Sequence, residues 1–211
     1  MSCKRVCVTA SQRYLARMNK SDLPTLTGGR LILRTPSEGD VQGRLVLGRD
    51  PEIHRMYGGN RSDMQPLTEE AARRWVHSLI NHDFAWIIEF GGCLIGHIRL
   101  DRVDLRDRRA SLAVGIEDKT RLGLGLGPEA IKLVLEYAFD VLKLHRVSVR
   151  VLAYNTPAIR AYEKCGFVIE GREREAAFVD GAWYDDVMMG IIENEFRGGR
   201  SLWKRPKDDQ S

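Results

Sequence analysis

The sequence predicts a mixed α/β domain, an α+β mixed sheet covered by helices, and three observations carry that prediction. Several short runs alternate apolar and polar residues with a period of two, as half-buried strands require. Longer runs space their apolar residues by three and four, the signature of a half-buried helix. A stretch with glycines at alternate positions, Gly123, Gly125 and Gly127, leads directly into one of those helices. With 211 residues, 43% of them apolar, the chain is long enough to bury one sizeable core. One domain is therefore expected over residues 25–196, with residues 1–24 as an N-terminal extension and 197–211 as a polar tail in which Trp203 is the one docking candidate.

Residues 30–34 alternate as a first strand, and Ser37-Glu38-Gly39-Asp40 ahead of Val41, Leu45 and Leu47 reads as a helix start. Thr68-Glu69-Glu70-Ala71 opens a clearer helix through Leu79, with Trp75, Val76 and Leu79 as its apolar stripe. Residues 85–90 and 94–100 form a hairpin around Gly91-Gly92. Residues 110–116 make a strand that enters the glycine run, and Pro128 suits the first position of the helix beyond it. That helix buries Ile131, Val134, Leu135, Ala138, Phe139 and Leu142. Val147, Val149 and Val151 alternate along another strand, followed by a short helix that Asn155 and Pro157 open and Gly166 closes, and then by a further strand.

Arg121-Leu122-Gly123-Leu124-Gly125-Leu126-Gly127-Pro128 points to a bound phosphate. Glycines let a ligand approach the backbone, and the free N–H groups at a helix start, together with the helix dipole, attract an anion. No lysine follows Gly127 as a Walker loop requires, and the glycine spacing is not that of a dinucleotide fingerprint. The segment resembles instead the acyl-CoA loop of the GCN5-related N-acetyltransferases, Gln/Arg-x-x-Gly-x-Gly/Ala, with Gly125 and Gly127 at the two glycine positions and Leu122 where Gln or Arg is usual. The run Asn155-x-x-Ala158-x-x-x-Tyr162-x-Lys164-x-Gly166-Phe167 resembles the second half of the same cofactor site. The late run Asp180-Gly181-Ala182-Trp183-Tyr184-Asp185-Asp186 resembles the closing hairpin of the subgroup that holds ribosomal-protein N-terminal, spermidine and antibiotic acetyltransferases.

The resemblance, which spans residues 29–196, implies a mostly antiparallel sheet whose fourth and fifth strands splay apart and are flanked by helices. It also implies acetyl-CoA as acetyl donor and direct transfer to a primary amine. Pyrophosphate would rest on the N–H groups of Leu124 to Gly127, within a loop that includes Arg121, Leu122 and Gly123. The pantetheine arm would run between strands 110–116 and 146–152, touching Asn155 and Ala158. A backbone N–H among Val114, Gly115 and Ile116 would polarise the thioester carbonyl, and Tyr162 would protonate the departing thiolate. No metal is expected.

An aliphatic amine has a pKa near ~10.4 and is almost wholly protonated at neutral pH, so a base or water relay helps. Asp185 is the preferred carboxylate, since strand alternation puts Tyr184 and Asp186 on the opposite face. Asp186, Glu117, Asp118, Asp101, His54 and His97 are the alternatives. Relatives that acetylate ribosomal-protein termini often carry Glu where Ser111 stands here. Glu38, Asp40, Asp50, Glu52, Asp101, Asp104 and Asp185 lie in segments that border the acceptor side in this fold. Together these favour a small polar amine, an aminoglycoside antibiotic or a polyamine, over a protein N-terminus, and antibiotic resistance is the associated role.

A net charge of +4 on 33 basic and 29 acidic residues gives no concentrated basic face, so no nucleic-acid partner is expected, and the Arg106, Arg108, Arg109 cluster reads as a solvated turn. Cys3, Cys7, Cys93 and Cys165 lack zinc spacing and read as free thiols of a reducing compartment. No apolar run reaches transmembrane length and no secretory signal is apparent, so a cytoplasmic protein without a membrane partner is expected. The expected partner is the small-molecule amine, with a homodimer as the one assembly considered. A non-catalytic CoA-binding module is the rival of another class, and Tyr162 argues against it.

Overall fold

The computed structural model describes residues 23–198, so Cys3, Cys7, Trp203 and most of both expected extensions lie outside the described residues. Eight strands form one mixed sheet: β1 (Leu26–Thr27), β2 (Leu31–Arg34), β3 (Ala85–Phe90), β4 (Cys93–Asp104), β5 (Arg109–Ile116), β6 (Arg146–Leu152), β7 (Val168–Val179) and β8 (Ala182–Ile192). Their order is β1-β2-β3-β4-β5-β6-β8-β7, antiparallel everywhere except at β5–β6.

Strand alternation sends two sets of side chains to opposite faces. In β3, Trp86 and Ile88 join one core with Leu31, Leu33, Leu112, Val147, Val149 and Met189. Ala85 and Ile87 join another with Leu79 and Leu94. Helix α1 (Asp40–Leu47), helix α2 (Pro51–Met56) and helix α3 (Glu69–Ile80) precede β3 in the chain. The stripe of α3, with Ala72, Val76 and Leu79 buried, packs in the smaller clusters with Val41 and Leu94. The larger core is closed by helix α4 (Leu126–Glu136) through Leu126, Ala130, Ile131, Val134 and Leu135, and by helix α5 (Thr156–Lys164) through Tyr162. Helix α6 (Glu193–Gly198) ends the described chain.

Two local expectations need correction. Helix α4 starts at Leu126 after Gly125, so Pro128 is third rather than first; its missing N–H is harmless there because none of the first four N–H groups has an intrahelical partner. The helix expected to run to Leu142 changes to a π-turn over Tyr137–Val141, which still buries Tyr137, Ala138 and Phe139. Helix α2 was not expected. Its sequence signals are plain afterwards: Asp50 accepts from the N–H groups of Glu52 and Ile53, and Pro51 opens the first turn.

Candidate active site

Strands β5 and β6 pair only at their beginnings, Arg109 with Arg146, Ala110 with Val147 and Ser111 with Ser148. Beyond Ser111 they have no register with each other. The side of β5 that faces this gap is fixed by two contacts. The Ala110 carbonyl faces β6, where Ser148 Oγ donates to it at 3.3 Å, and the Gly115 carbonyl faces β4, lying 1.9 Å from where a Cβ on Gly96 would stand. Backbone polar groups alternate sides along a strand, so the N–H groups of Leu112, Val114 and Ile116 point into the gap. Ile116 N–H opposes the rise that burial gives the Tyr57 phenol. Of the three N–H sources expected for the thioester carbonyl, Gly115 faces β4, while Val114 and Ile116 point into the gap.

A cavity of about 340 Å³ occupies the gap. Leu112, Ala113 and Val114 line it from β5, and Arg150, Val151 and Leu152 from β6. Asn155, Ala158 and Tyr162 of the α5 segment lie on one side, while Met56, Tyr57 and Gly58 at the end of α2, with Ala177 and Asp186 of the closing hairpin, contribute the rest. Strand alternation separates the two ends: Val147, Val149 and Val151 face the α4–α5 core, whereas Arg150, Leu152 and the residue paired with Leu152, Asp186, share the opposite face. The cavity thus passes through the sheet, with Tyr162 on one face and Asp186 on the other.

Tyr162 is buried, 6% exposed, and packs edge-on against Phe167 at 5.4 Å. Burial raises its phenol above the ordinary value, so it keeps its proton at neutral pH. Asn155 caps α5 by accepting from Ala158 N–H at 3.2 Å and donates through Nδ2 to the Met56 carbonyl at 3.0 Å. Both ends of its amide thus tie the α2 end to α5.

Asp185, the preferred carboxylate on sequence grounds, lies outside the cavity. Its Oδ1 accepts from Glu175 N–H at 3.0 Å, its Oδ2 lies 3.7 Å from Arg172, and it does not line the cavity. Asp186, the alternative one residue on, points to the other face of β8 and lines the cavity. Asp186 is 3% exposed, lies 3.1 Å from Arg150 Nε, and is pushed upward by burial. The seven carboxylates in segments that border the expected acceptor side are engaged separately. Asp40 pairs with Arg34, Asp50 with Lys119, Glu52 with Arg61, and Asp185 with Arg172. Glu38 pairs with His77 and Asp101 with Arg99, Asp104 caps a turn, and none lines the cavity. His97 is no base either. Its conjugate acid is held down to about 3 by burial, and Arg99 Nη1 lies 3.3 Å from its Nε2.

The glycine loop leaves the end of β5 through a 3₁₀ turn, Lys119–Arg121. Gly125 sits at φ 77°, a left-handed conformation that costs other residues free energy, and a Cβ added at Gly127 would meet nothing within 4 Å. The backbone of the loop is accordingly open to a ligand. Leu122 and Leu124 are each 48% exposed, while Leu126 is buried beneath them. Arg121 lies over the Phe90 ring at 5.2 Å and 3.5 Å from Asp118. A support not foreseen from sequence holds the loop: Arg30 donates to the Leu124 carbonyl at 3.0 Å and to Glu129 at 2.8 Å, and Glu129 also accepts from Arg30 N–H at 2.7 Å. No short motif marks a pair so distant in sequence. Met56, Tyr57, Arg150 and Ala177 were likewise missed, because only the folded sheet brings them to the cavity.

Among the described residues no group of His, Cys, Asp and Glu could hold a metal ion, and no helix is long and apolar enough to cross a membrane. The sequence model of the acetyltransferase (GNAT) domain matches residues 30–168. The chain is 32% identical over 168 residues to spermidine N(1)-acetyltransferase of Vibrio cholerae, covering 79% of this chain and 95% of that one. It is 31% identical over 173 residues to a prophage-derived N-acetyltransferase of Bacillus subtilis, covering 81% and 94%. The crystal structure of the Vibrio cholerae spermidine N-acetyltransferase with CoA and spermine superposes with a TM-score of 0.68 over 81% of this chain and 99% of that chain, at 24% identity.

Proposed function

From the premise that this chain belongs to the GNAT acetyltransferase family and is an acetyl-CoA-dependent N-acetyltransferase, we propose that it acetylates a small primary amine of the polyamine kind, received on the Asp186 face of the sheet. Bound acetyl-CoA supplies the acetyl thioester. The glycine loop from Arg121 to Gly127 holds its phosphates on backbone N–H groups, Val114 N–H polarises the thioester carbonyl, and Tyr162 donates the proton that the sulfur takes on leaving.

The observation that carries the reading is the cavity that joins a protonated phenol on one face to a buried carboxylate on the other. Asp186 and Glu173 set two carboxylates against the single guanidinium of Arg150, which lies 3.1 Å and 3.7 Å from them. That balance attracts a cationic amine and disfavours an anionic acceptor. The similarity to spermidine acetyltransferases points the same way.

Thiol release from acetyl-CoA, followed across polyamines, aminoglycosides and peptides with free N-termini, tests the acceptor. Polyamines should give the highest kcat/KM. Asp186→Asn should raise the KM for the polyamine about tenfold, the order of magnitude of one weakened charge interaction, and leave the KM for acetyl-CoA unchanged. Turnover confined to the peptides would reverse the acceptor assignment.

A further inference from the structure

Four polar side chains on the Asp186 face of β5 are not used by the reaction as derived so far. Along this strand Ser111, Ala113 and Gly115 point away from the α4–α5 core, and Glu117 follows at the strand end. A Cβ built on Gly115 would stand 3.1 Å from the Tyr57 hydroxyl, 3.2 Å from His97 Cε1 and 3.4 Å from Glu117 Oε1. The absence of a side chain at Gly115 is what lets these three groups crowd one point. Arg44, 6% exposed, closes the cluster, with its Nη2 3.8 Å from Glu117 Oε2 and its Nε buried without a hydrogen-bond partner.

Tyr57 connects this cluster to the reaction. It lines the same cavity as Tyr162. The residue is 50% exposed, yet its hydroxyl reaches inward, 3.1 Å from a Cβ built on Gly115, and burial raises the phenol so that it keeps its proton. The thioester position proposed above, beside Val114, therefore has a phenol on each face of the sheet.

Resting on the acetyltransferase reading, we propose that Tyr57 and Glu117 form the proton-accepting arm of the site, Tyr57 as a catalytic residue that touches the amine and Glu117 as the positioning residue that acts through it. The acceptor arrives as an ammonium: its nitrogen gives one proton to the Tyr57 oxygen as Tyr57 passes its hydroxyl proton to Glu117, the neutral amine then forms the C–N bond, and the acylated nitrogen loses its second proton to solvent. The C–S bond breaks with its electron pair on sulfur, and Tyr162 protonates that sulfur. Proton exchange with solvent then restores Glu117 and Tyr162.

The electrostatics agree with this division. Burial raises the Glu117 carboxyl, while Arg44 and Arg49 around α1 and His54 on α2 oppose that rise; His97 on β4 lies 3.9 Å away and is neutral. The ionised carboxylate is the working form, so activity falls as pH drops through the Glu117 pKa, and burial moves that loss upward toward neutrality.

The full-length chain, Tyr57→Phe and Glu117→Gln are compared with two acceptors: spermidine, and an aromatic hydrazine that is already neutral at the assay pH. Each substitution should lower kcat for spermidine about 10²-fold without changing acetyl-CoA affinity measured by calorimetry. The loss should shrink below about tenfold for the hydrazine, because that amine brings no excess proton to remove. Glu117→Gln should also flatten the acidic limb of the kcat profile. Glu117→Asp, which keeps the carboxylate, should restore part of the activity. Should Glu117→Gln fail to fold, Tyr57→Phe decides by the same comparison. Equal losses with both amines, or kcat within two- to threefold of the unmodified chain, would overturn the proposal alone. Absence of thiol release from the unmodified chain with every amine would overturn the acetyltransferase reading as well.

Discussion

Tyr162→Phe lowers kcat by about 10²- to 10⁴-fold, the range associated with a positioned proton donor, and leaves acetyl-CoA affinity nearly unchanged. The substitution keeps the ring and its edge contact with Phe167, so the core around α5 is preserved. Only the hydroxyl is lost. Because burial holds that phenol protonated, it would have a proton for the sulfur over the whole neutral range. Single-turnover kinetics, in which acetyl transfer is observed directly, check this, and a kcat within two- to threefold of the unmodified enzyme would place the donor elsewhere.

Gly127→Val weakens acetyl-CoA binding by about 10²-fold, which corresponds to roughly 3 kcal/mol, while the unfolding midpoint stays within a few degrees. The loop leaves room for the added side chain in the free protein, since nothing lies within 4 Å of the new Cβ, but the proposed phosphate would reach the backbone through that same space. Gly125→Val is a poorer probe than sequence alone suggests. Its φ of 77° strains any β-branched residue, so binding and stability would fall together. Calorimetric titration of Gly127→Val beside a thermal melt separates the two effects. Unchanged affinity in folded protein would remove the loop from the cofactor site.

What could be read from sequence follows the range of the interactions involved. The glycine loop, the start of α5 at Asn155 and the position of Tyr162 are local patterns, in which residues a few places apart define a turn, a cap and a helix face. The strands of the sheet were legible for the same reason, because alternation is a property of neighbours. The acceptor face was not. It joins the end of α2, the odd positions of β5, Arg150 of β6 and Asp186 of β8, segments that meet only through the sheet order. Choosing Asp185 over Asp186 needed one fact that alternation does not supply, namely which face of β8 looks into the gap. The seven acidic residues near the expected acceptor are engaged separately because each finds a basic partner or a backbone cap close by, and charge counted along a sequence does not reveal that neutralisation. Glu117, which could be weighed in the sequence only as one carboxylate among several, stands out once Gly115 is seen to admit Tyr57 and His97 beside it.

The claim that one cavity carries the donor and the acceptor to each other through the sheet is open to a direct affinity measurement. A bisubstrate adduct, in which the sulfur of CoA is joined through an acetyl bridge to a nitrogen of spermidine, should bind at least about 10²-fold more tightly than either CoA or spermidine alone, because linking two correctly placed ligands makes the second binding event intramolecular. Calorimetric titration of the adduct, CoA and spermidine against the same protein gives the comparison. An adduct that binds no more tightly than CoA would contradict the through-sheet site.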